Sequence, residues 1–424
     1  MFRNSETGQR ILKNAAYLAF GSILGKAAMF IVFILVARYF GPENFGAYNT
    51  AFNHVFIMGI LATLGFDMAI IREGARQLET APLIQNKIFP LRFWVSIFIC
   101  FFTVLSAYVI KYDEVTFKLI LIMSPLVFTG GAVQSGIIEH FNSYFRMIEK
   151  MQYATYVLLF RTLLFAGVVS GMLFIEVLSL YNLSVLVVAS SIAALFFQIQ
   201  QAKIFYQQKY SLRIDYNYIK PLIRPILLFG IVSLLYEISL RLNILMLNKL
   251  SNNTEAGYYS AAWNLVSIGT LFIASFSTSI FPNSARSIFR ADFRNKMLKG
   301  LGAGTLLFSL GCVAVFFISE FMVKVIYGEA YLQAAIVLVV AVWFLPLRLL
   351  SIWGHQIMES ADYLILRIFI FIVPTILNIY VNFLLIPKYG ALGSAYASLF
   401  SNIILLLLAM LAGACIIKND KRFG

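Results

Sequence analysis

Charged side chains that interrupt long apolar stretches are the residues of this sequence that could do chemistry. Four basic residues, Lys26, Arg161, Arg241 and Arg348, fall inside such stretches. An ionisable group at the centre of a bilayer costs about 2.5–3.5 kcal/mol on insertion scales, so it tends to face water, a partner or a substrate. Guanidinium and ammonium groups suit phosphate and carboxylate ligands. The four residues therefore predict a wet cationic cavity that binds an anionic substrate.

Other roles for these basic residues remain open. Lys26 can pack against a neighbouring carbonyl group or acid. Arg161 and Arg348 can instead extend along their helices towards the cytoplasmic surface, because long basic side chains keep an apolar stem in the hydrocarbon and the charge in water.

Two acidic residues are candidates for carrying a coupling ion. Glu237 lies four residues before Arg241, on the same face of a helix. The two side chains can therefore neutralise each other, or they can act as a coupling carboxylate beside a substrate-binding arginine. Asp67 lies near the end of its apolar stretch, where it is either a helix-end residue close to Arg72 or a second coupling residue.

The composition indicates what kind of protein holds these charges. Of the 424 residues, 61% are hydrophobic and 12% are charged, and the mean hydropathy is +0.84. Soluble globular proteins carry about a quarter charged residues. The values exclude a soluble enzyme, a disordered protein and a secreted disulfide scaffold. They predict an all-α polytopic membrane protein.

About twelve stretches are long enough to cross the hydrocarbon as helices. They lie at 14–38, 46–70, 91–110, 116–138, 154–175, 181–202, 225–248, 256–281, 301–319, 331–353, 363–386 and 391–417. An even number places both termini on one side, and the segments on that side hold 21 Lys and Arg residues against 5 on the other. This asymmetry predicts cytoplasmic termini. It also explains most of the net charge of +14 without a nucleic-acid partner.

Patterns typical of catalysis or of metal binding are missing from the sequence. The three cysteines and three histidines are scattered, and no GxxxxGK[ST] phosphate loop occurs. The outward loops are too short to hold a catalytic domain. We therefore expect a protein that is not an enzyme and that needs no metal or cofactor.

The two halves of the chain share a short repeat. Residues 45–53 and 256–264 match at an offset of 211, with glycine, tyrosine, alanine and asparagine coinciding. Chance similarity is the alternative. The repeat predicts two six-helix lobes, 1–202 and 225–417, joined by a basic cytoplasmic linker at 203–224 and followed by a tail at 418–424, with a cavity between the lobes. The same offset relates Lys26 to Glu237, so a contact between these two is a further hypothesis.

Several motifs, taken in order, resemble those of a known family. They are ARYFGPENFGAY at 37–48, LGF at 64–66 followed by REGAR at 72–76, EAGYYSAA at 255–262 followed by Phe281-Pro282, and Asn378 and Asn382 followed by IPKYGALGSA at 386–395. The set resembles the polysaccharide biosynthesis flippases, the O-antigen (Wzx-type) transporters of the multidrug/oligosaccharidyl-lipid/polysaccharide (MOP) exporter superfamily.

The resemblance implies a MATE-like fold and a transport function. Family members are thought to move undecaprenyl-diphosphate-linked oligosaccharide across the bacterial inner membrane for lipopolysaccharide biosynthesis. They are proposed to use alternating access, with H⁺ or Na⁺ as a possible coupling ion and a polysaccharide polymerase complex as a possible partner. The family offers no catalytic motif to carry over. A MATE-type multidrug antiporter and a non-transporting scaffold of a polysaccharide assembly complex are the alternatives. The excess of basic residues disfavours cationic drugs.

Overall fold

The chain is helical throughout the part that the structure describes. The computed structural model describes residues 6–67, 70–71, 81–133, 135–205 and 211–420, and all its regular elements there are helices. They are α1 (Glu6–Thr63), α2 (Ala81–Ile110), α3 (Glu114–Met123), α4 (Pro125–Thr129), α5 (Gly136–Met147), α6 (Met151–Phe174), α7 (Leu180–Phe205), α8 (Tyr216–Leu250), α9 (Asn253–Ser287), α10 (Ala291–Tyr327), α11 (Gln333–Ala341), α12 (Phe344–Ser360), α13 (Leu364–Asn419) and a 3₁₀ turn at Glu329–Tyr331. The motif at 72–76, residues 206–210 of the predicted linker and residues 421–424 of the predicted tail lie outside these ranges.

Glycines divide the two longest helices. α1 has 58 residues and α13 has 56. A straight helix of that length would be about 85 Å long, far more than the roughly 30 Å of hydrocarbon in a bilayer. The backbone leaves the helical region at Gly41 (φ 72°) and at Gly390 (φ 51°). Glycine tolerates positive φ, so each of these long helices accommodates two of the predicted spans.

The prediction of a multi-pass helical membrane protein is confirmed. Among the described residues, eight helical stretches are long and apolar enough to cross a bilayer. The fourth predicted span, 116–138, is divided among α3, α4 and the start of α5, with Gly130 and Gly131 at positive φ between them. The count of twelve spans and the cytoplasmic side of the termini remain predictions.

The chain forms two compact units. Unit 1 consists of Met1–Tyr39 and Thr50–Glu237, and unit 2 consists of Phe40–Asn49 and Ile238–Gly424. The division along α8 comes after Glu237, beyond the predicted linker at 203–224. The first half of α8 therefore packs with the N-terminal helices: Ile219, Leu222 and Ile226 belong to the same apolar cluster as residues of α2 and α5.

The described end of the linker is attached to the start of α2 in unit 1. Trp94 donates a hydrogen bond from its indole nitrogen to the Leu212 carbonyl oxygen at 3.3 Å. The Lys87 ammonium lies 3.2 Å from the Asp215 carboxylate and 4.7 Å from the centre of the Tyr218 ring. Hydrogen bonding to the Tyr218 amide, with help from Lys87, lowers the pKa of Asp215. The linker is thus fixed by specific contacts in addition to any attraction to lipid.

The two copies of the repeat contact each other within unit 2. A Cβ atom at Gly46 would overlap the carbonyl oxygen of Asn253, and one at Gly257 would overlap the carbonyl oxygen of Pro42. By the offset of 211, residue 42 is equivalent to residue 253, and residue 46 is equivalent to residue 257. The contact of Gly46 with Asn253 is therefore the counterpart of the contact of Gly257 with Pro42. Such reciprocal contacts are what a two-fold axis would generate. The glycines of the repeat are needed because two backbones meet there.

We expect Gly354→Ala to destabilise unit 2. A Cβ atom at Gly354 of α12 would overlap the carbonyl oxygen of Ala409 on α13. Overpacking of this kind costs about 1–3 kcal/mol, which exceeds the roughly 1 kcal/mol that alanine gains over glycine in a helix. Thermal unfolding of the detergent-solubilised protein, followed by tryptophan fluorescence, should give a Tm several degrees lower. Gly311→Ala on α10 is the matched control, because no atom lies within 4 Å of its Cβ position. Equal Tm values for the two variants would contradict this account of the helix contact.

Candidate functional site

Unit 2 contains a polar cavity that Arg348 lines. Its walls come from α8, α12 and α13. The lining residues are Ser239, Leu240, Phe344, Arg348, Phe371, Pro374, Thr375, Asn378, Ser401, Asn402 and Leu405. The cavity measures about 350 Å³ with its open mouth, and the centre of a water molecule can occupy about 20 Å³ of it. It is therefore narrow, and in this conformation it admits a small group rather than a whole sugar ring.

The chemistry of this cavity combines a cation with neutral hydrogen-bonding groups. The Arg348 guanidinium lies 5.6 Å from the centre of the Phe371 ring, a distance typical of a cation–π contact. Thr375 and Asn378 are buried on the facing side of α13. A guanidinium, amides, hydroxyls and an aromatic face together suit an oxygen-rich anionic ligand.

Asn378 connects the cavity to a buried network of amides and hydroxyls. Asn382 donates to the side-chain oxygens of Asn378 and Asn243, each at 2.9 Å. Asn243 donates to the Tyr259 hydroxyl at 2.9 Å and to the Ser398 hydroxyl at 2.6 Å. The network joins α8, α9 and α13, and all five side chains are buried.

The grouping of these side chains into one network was not predicted from the sequence. Asn378 and Asn382 entered only as parts of a motif, although two asparagines four residues apart in an apolar helix signal a polar face. The sequence contains no comparable signal for Asn243. It becomes part of the network only because α8 packs beside α13.

Asp67 forms an ion pair with a buried arginine in unit 1. Its carboxylate pairs with the guanidinium of Arg92 on α2 and accepts a hydrogen bond from the Ser143 hydroxyl at 2.8 Å. Arg92 is fully buried, and its guanidinium lies 5.9 Å from the centre of the Phe66 ring. No sequence pattern singled out Arg92, and the expected neighbour Arg72 lies outside the described residues. Asp67 therefore has a structural partner that sequence spacing did not reveal.

A second ion pair lies on α5 in the same unit. The Arg146 guanidinium is 2.8 Å from the Glu139 carboxylate, which also accepts a hydrogen bond from Asn142 at 2.9 Å. Asn142 in turn accepts a hydrogen bond from Gln198 of α7 at 2.7 Å. Neither Glu139 nor Arg146 was singled out from the sequence as a candidate functional residue.

The two other basic candidates of unit 1 differ in burial. Lys26 is exposed on α1. Gly21 and Gly25 beside it pack against Thr155 and Leu158 of α6. Arg161 is 5% exposed on α6 and lies beside Gly131.

Glu237 and Arg241 are both half-buried on α8. The division between the compact units falls directly after Glu237, so Glu237 belongs to unit 1 and Arg241 to unit 2. Their mutual neutralisation and the contact between Lys26 and Glu237 remain predictions.

Residues 11–288 match the family described as "Polysaccharide biosynthesis protein", which is more than half of the chain. The chain belongs to this family. The resemblance inferred from the sequence motifs is thereby confirmed. A comparison with curated protein sequences finds no match.

Solved structures with a similar fold are membrane transporters. Lipid II flippase MurJ in an inward closed conformation is 14% identical to this polysaccharide biosynthesis protein, with a TM-score of 0.76 over 93% of this chain and 86% of that one. An inward-facing MATE multidrug transporter of the MOP superfamily is 14% identical, with a TM-score of 0.71 over 96% and 99% of the two chains. An outward-facing one is 16% identical, with a TM-score of 0.65 over 100% and 98%. At these identities the similarity establishes the fold, which is MATE-like.

The fold explains two sequence motifs of this polysaccharide biosynthesis protein. The Glu255 carboxylate, at the start of α9, accepts a hydrogen bond from the Ala391 backbone nitrogen at 2.6 Å. Ala391 follows the break at Gly390, where a Cβ atom would overlap the Glu255 side chain. The helical part of α13 that follows Gly390 begins at this point. A carboxylate beside the first turn of a helix accepts from a free backbone N–H group and complements the helix dipole. The motifs at 255–262 and 386–395 therefore form one structural contact.

We expect the contributions of Asp67 and Arg92 to the stability of the fold to depend on each other. Arg92→Met and Asp67→Asn should each lower the Tm sharply, because removing one partner of a buried pair costs about 3–5 kcal/mol. The double variant should lose much less than the sum of the two. Lys118→Met is the control, since Lys118 and Glu114 form an exposed pair and exposed pairs contribute little. Thermal unfolding of all four variants measures the coupling, and additive losses would show that the pair is not a unit.

Proposed function

We propose that this protein is a flippase for undecaprenyl-diphosphate-linked oligosaccharide, an O-antigen or similar polysaccharide repeat unit. In this proposal it moves the headgroup from the inner to the outer leaflet of the bacterial inner membrane by alternating access. The observation that carries the proposal is the cavity around Arg348, which offers cationic and sugar-compatible groups within a transporter of the polysaccharide biosynthesis family.

The chemistry of the substrate requires such an environment. A diphosphate bearing sugars cannot cross hydrocarbon unaided, because burying its charges and hydroxyls without partners is prohibitive. Guanidinium groups bind phosphate oxygens in a bidentate manner, and amides and hydroxyls replace the water around sugar hydroxyls. The lipid tail remains in the bilayer throughout.

We assign substrate contacts to Lys26, Arg161, Arg241 and Arg348. Each would pair with the diphosphate or with acidic sugars during part of the transport cycle. The pairing has to differ between the two facing states, since a ligand shifts an equilibrium only through its differential affinity for them. Glu237 or Asp67 would carry the coupling H⁺ or Na⁺, and in the case of Asp67 the ion would have to compete with Arg92.

A MATE-type multidrug antiporter is the second candidate. Two MATE transporters share the fold over nearly the entire chain. Antiport of cationic drugs would favour acidic groups in the binding cavity, whereas the charged residue lining the cavity of unit 2 is Arg348. The observation favours the flippase, and a drug-export assay separates the two functions.

We expect reconstituted protein to translocate a fluorescent undecaprenyl-diphosphate oligosaccharide between the leaflets of liposomes. Lys26→Ala, Arg161→Ala, Arg241→Ala and Arg348→Ala should each slow translocation about tenfold to a hundredfold, since a hydrogen bond to a charged group contributes about 1.5–3 kcal/mol. Arg213→Ala is the matched control, because this arginine is exposed on the linker.

The outcomes separate the function from the site. Normal translocation by all four variants would retain the flippase and discard the assigned residues. A folded protein that moves no cognate glycan would favour the drug antiporter, if it exports cations, or a scaffold of a polysaccharide assembly complex, if it transports nothing.

A further inference from the structure

Two carboxylates of unit 1, those of Asp67 and Glu139, are paired with arginines of different exposure. Asp67 is paired with Arg92, whose side chain has no exposed surface. Glu139, with a side chain 11% exposed, is paired with Arg146, whose side chain is 37% exposed. Arg92 therefore has no access to solvent, whereas Arg146 can exchange its carboxylate partner for another anion.

Opposing influences act on the protonation of Glu139. The charged groups that face it among the described residues are Arg146 on the same helix, Arg92 on α2 and Asp67 after α1, while α7 contributes only the neutral Gln198 through Asn142. Burial raises the pKa of Glu139; Arg146 opposes this increase and the charge of Asp67 adds to it. Glu139 lies outside the predicted spans, beyond the end of the fourth.

Buried polar atoms around the pair indicate hydration. Within the described part of the chain, both ring nitrogens of His140, Nε and Nη2 of Arg92 and the side-chain oxygens of Gln85 and Gln198 are buried without a hydrogen-bond partner. Buried polar groups that lack protein partners are usually satisfied by ordered water.

We infer that Glu139 is a proton-binding site and that its protonation releases Arg146 to bind a phosphate group. With Glu139 neutral, the charge attraction that holds Arg146 is lost, and the half-exposed guanidinium becomes available to an anion. The reverse also holds: an anion that withdraws Arg146 removes the group that stabilises the carboxylate, and proton affinity increases. The phosphate part rests on the proposed function, whose substrate carries a diphosphate, whereas the proton site does not.

Infrared spectroscopy of the full chain in phosphatidylcholine nanodiscs tests the proton site without any substrate. A carboxyl band that titrates above the pH of ordinary glutamic acid should disappear in Glu139→Gln and persist in Glu176→Gln, an exposed glutamate of the same unit. Arg146→Gln should move the midpoint to higher pH, because it removes a cation that favours the charged form. Asp67→Asn should move it to lower pH, because it removes a like charge.

Two results would overturn the proton site. One is a titrating band that is unchanged in Glu139→Gln. The other is a titration midpoint that stays the same in Arg146→Gln. Because Arg146 is partly exposed, we expect this variant to fold even if Glu139→Gln does not. Neither result depends on whether the protein transports a glycan, so failure here is distinguishable from failure of the flippase proposal.

Binding measurements test the release of Arg146. Undecaprenyl diphosphate in the nanodisc should be bound more tightly at pH 6 than at pH 8, by at most about a hundredfold for one linked proton, with proton uptake. The difference should vanish in Glu139→Gln and Arg146→Gln. Parallel titrations with inorganic pyrophosphate and with phosphatidylglycerol nanodiscs identify whether a free phosphate or an ordinary lipid headgroup produces the same uptake. Equal pH dependence in the wild type and in Arg146→Gln would overturn this half of the inference.

Discussion

Hydrocarbon supplies no hydrogen-bond partners, and most features of this protein follow from that constraint. Backbone groups inside a bilayer have to be satisfied within the chain, which permits helices and excludes open strands. Polar side chains are subject to the same demand. In this protein they collect where several helices bring partners together, as at Asn382 in unit 2 and at Asp67 in unit 1.

Two polar clusters, one in each unit, differ in their chemistry. The cluster in unit 1 contains ion pairs, with Asp67 and Glu139 opposite arginines. The cluster in unit 2 contains neutral amides and hydroxyls around Asn243 and Asn382. An ion pair responds to protons, since protonating its acid removes the attraction. A network of amides does not titrate, so it keeps its geometry at any physiological pH. The same contrast separates a region suited to sensing protons from one suited to supporting a binding cavity.

Close backbone contacts provide the second kind of cohesion. In lipid, helices gain little from the hydrophobic effect when they associate. Small residues let the backbones approach closely, and the resulting van der Waals contacts stabilise the packing. Gly354 against Ala409 is one such contact, and the reciprocal pair of Gly46 and Gly257 is another. The repeat in the sequence thus has a direct physical meaning, because its two copies meet each other.

The class of the protein and its family follow from the amino-acid sequence alone. Hydropathy and length are sufficient for membrane helices, since the bilayer imposes a fixed thickness on every span. The ordered motifs identified the polysaccharide biosynthesis family. Charges within the apolar stretches selected Arg348, which lines a cavity, and Asp67, which forms an ion pair with the buried Arg92.

Which polar groups contact each other depends on the packing of the helices. Arg92 is 25 residues from Asp67, and Asn382 is 139 residues from Asn243. Glu139 looked ordinary because its burial depends on helices distant in the chain. Sequence spacing reports neighbours along one helix, whereas a partner on another helix depends on how the bundle packs. That packing is set by van der Waals contacts at positions such as Gly354, where shape rather than residue type decides the outcome.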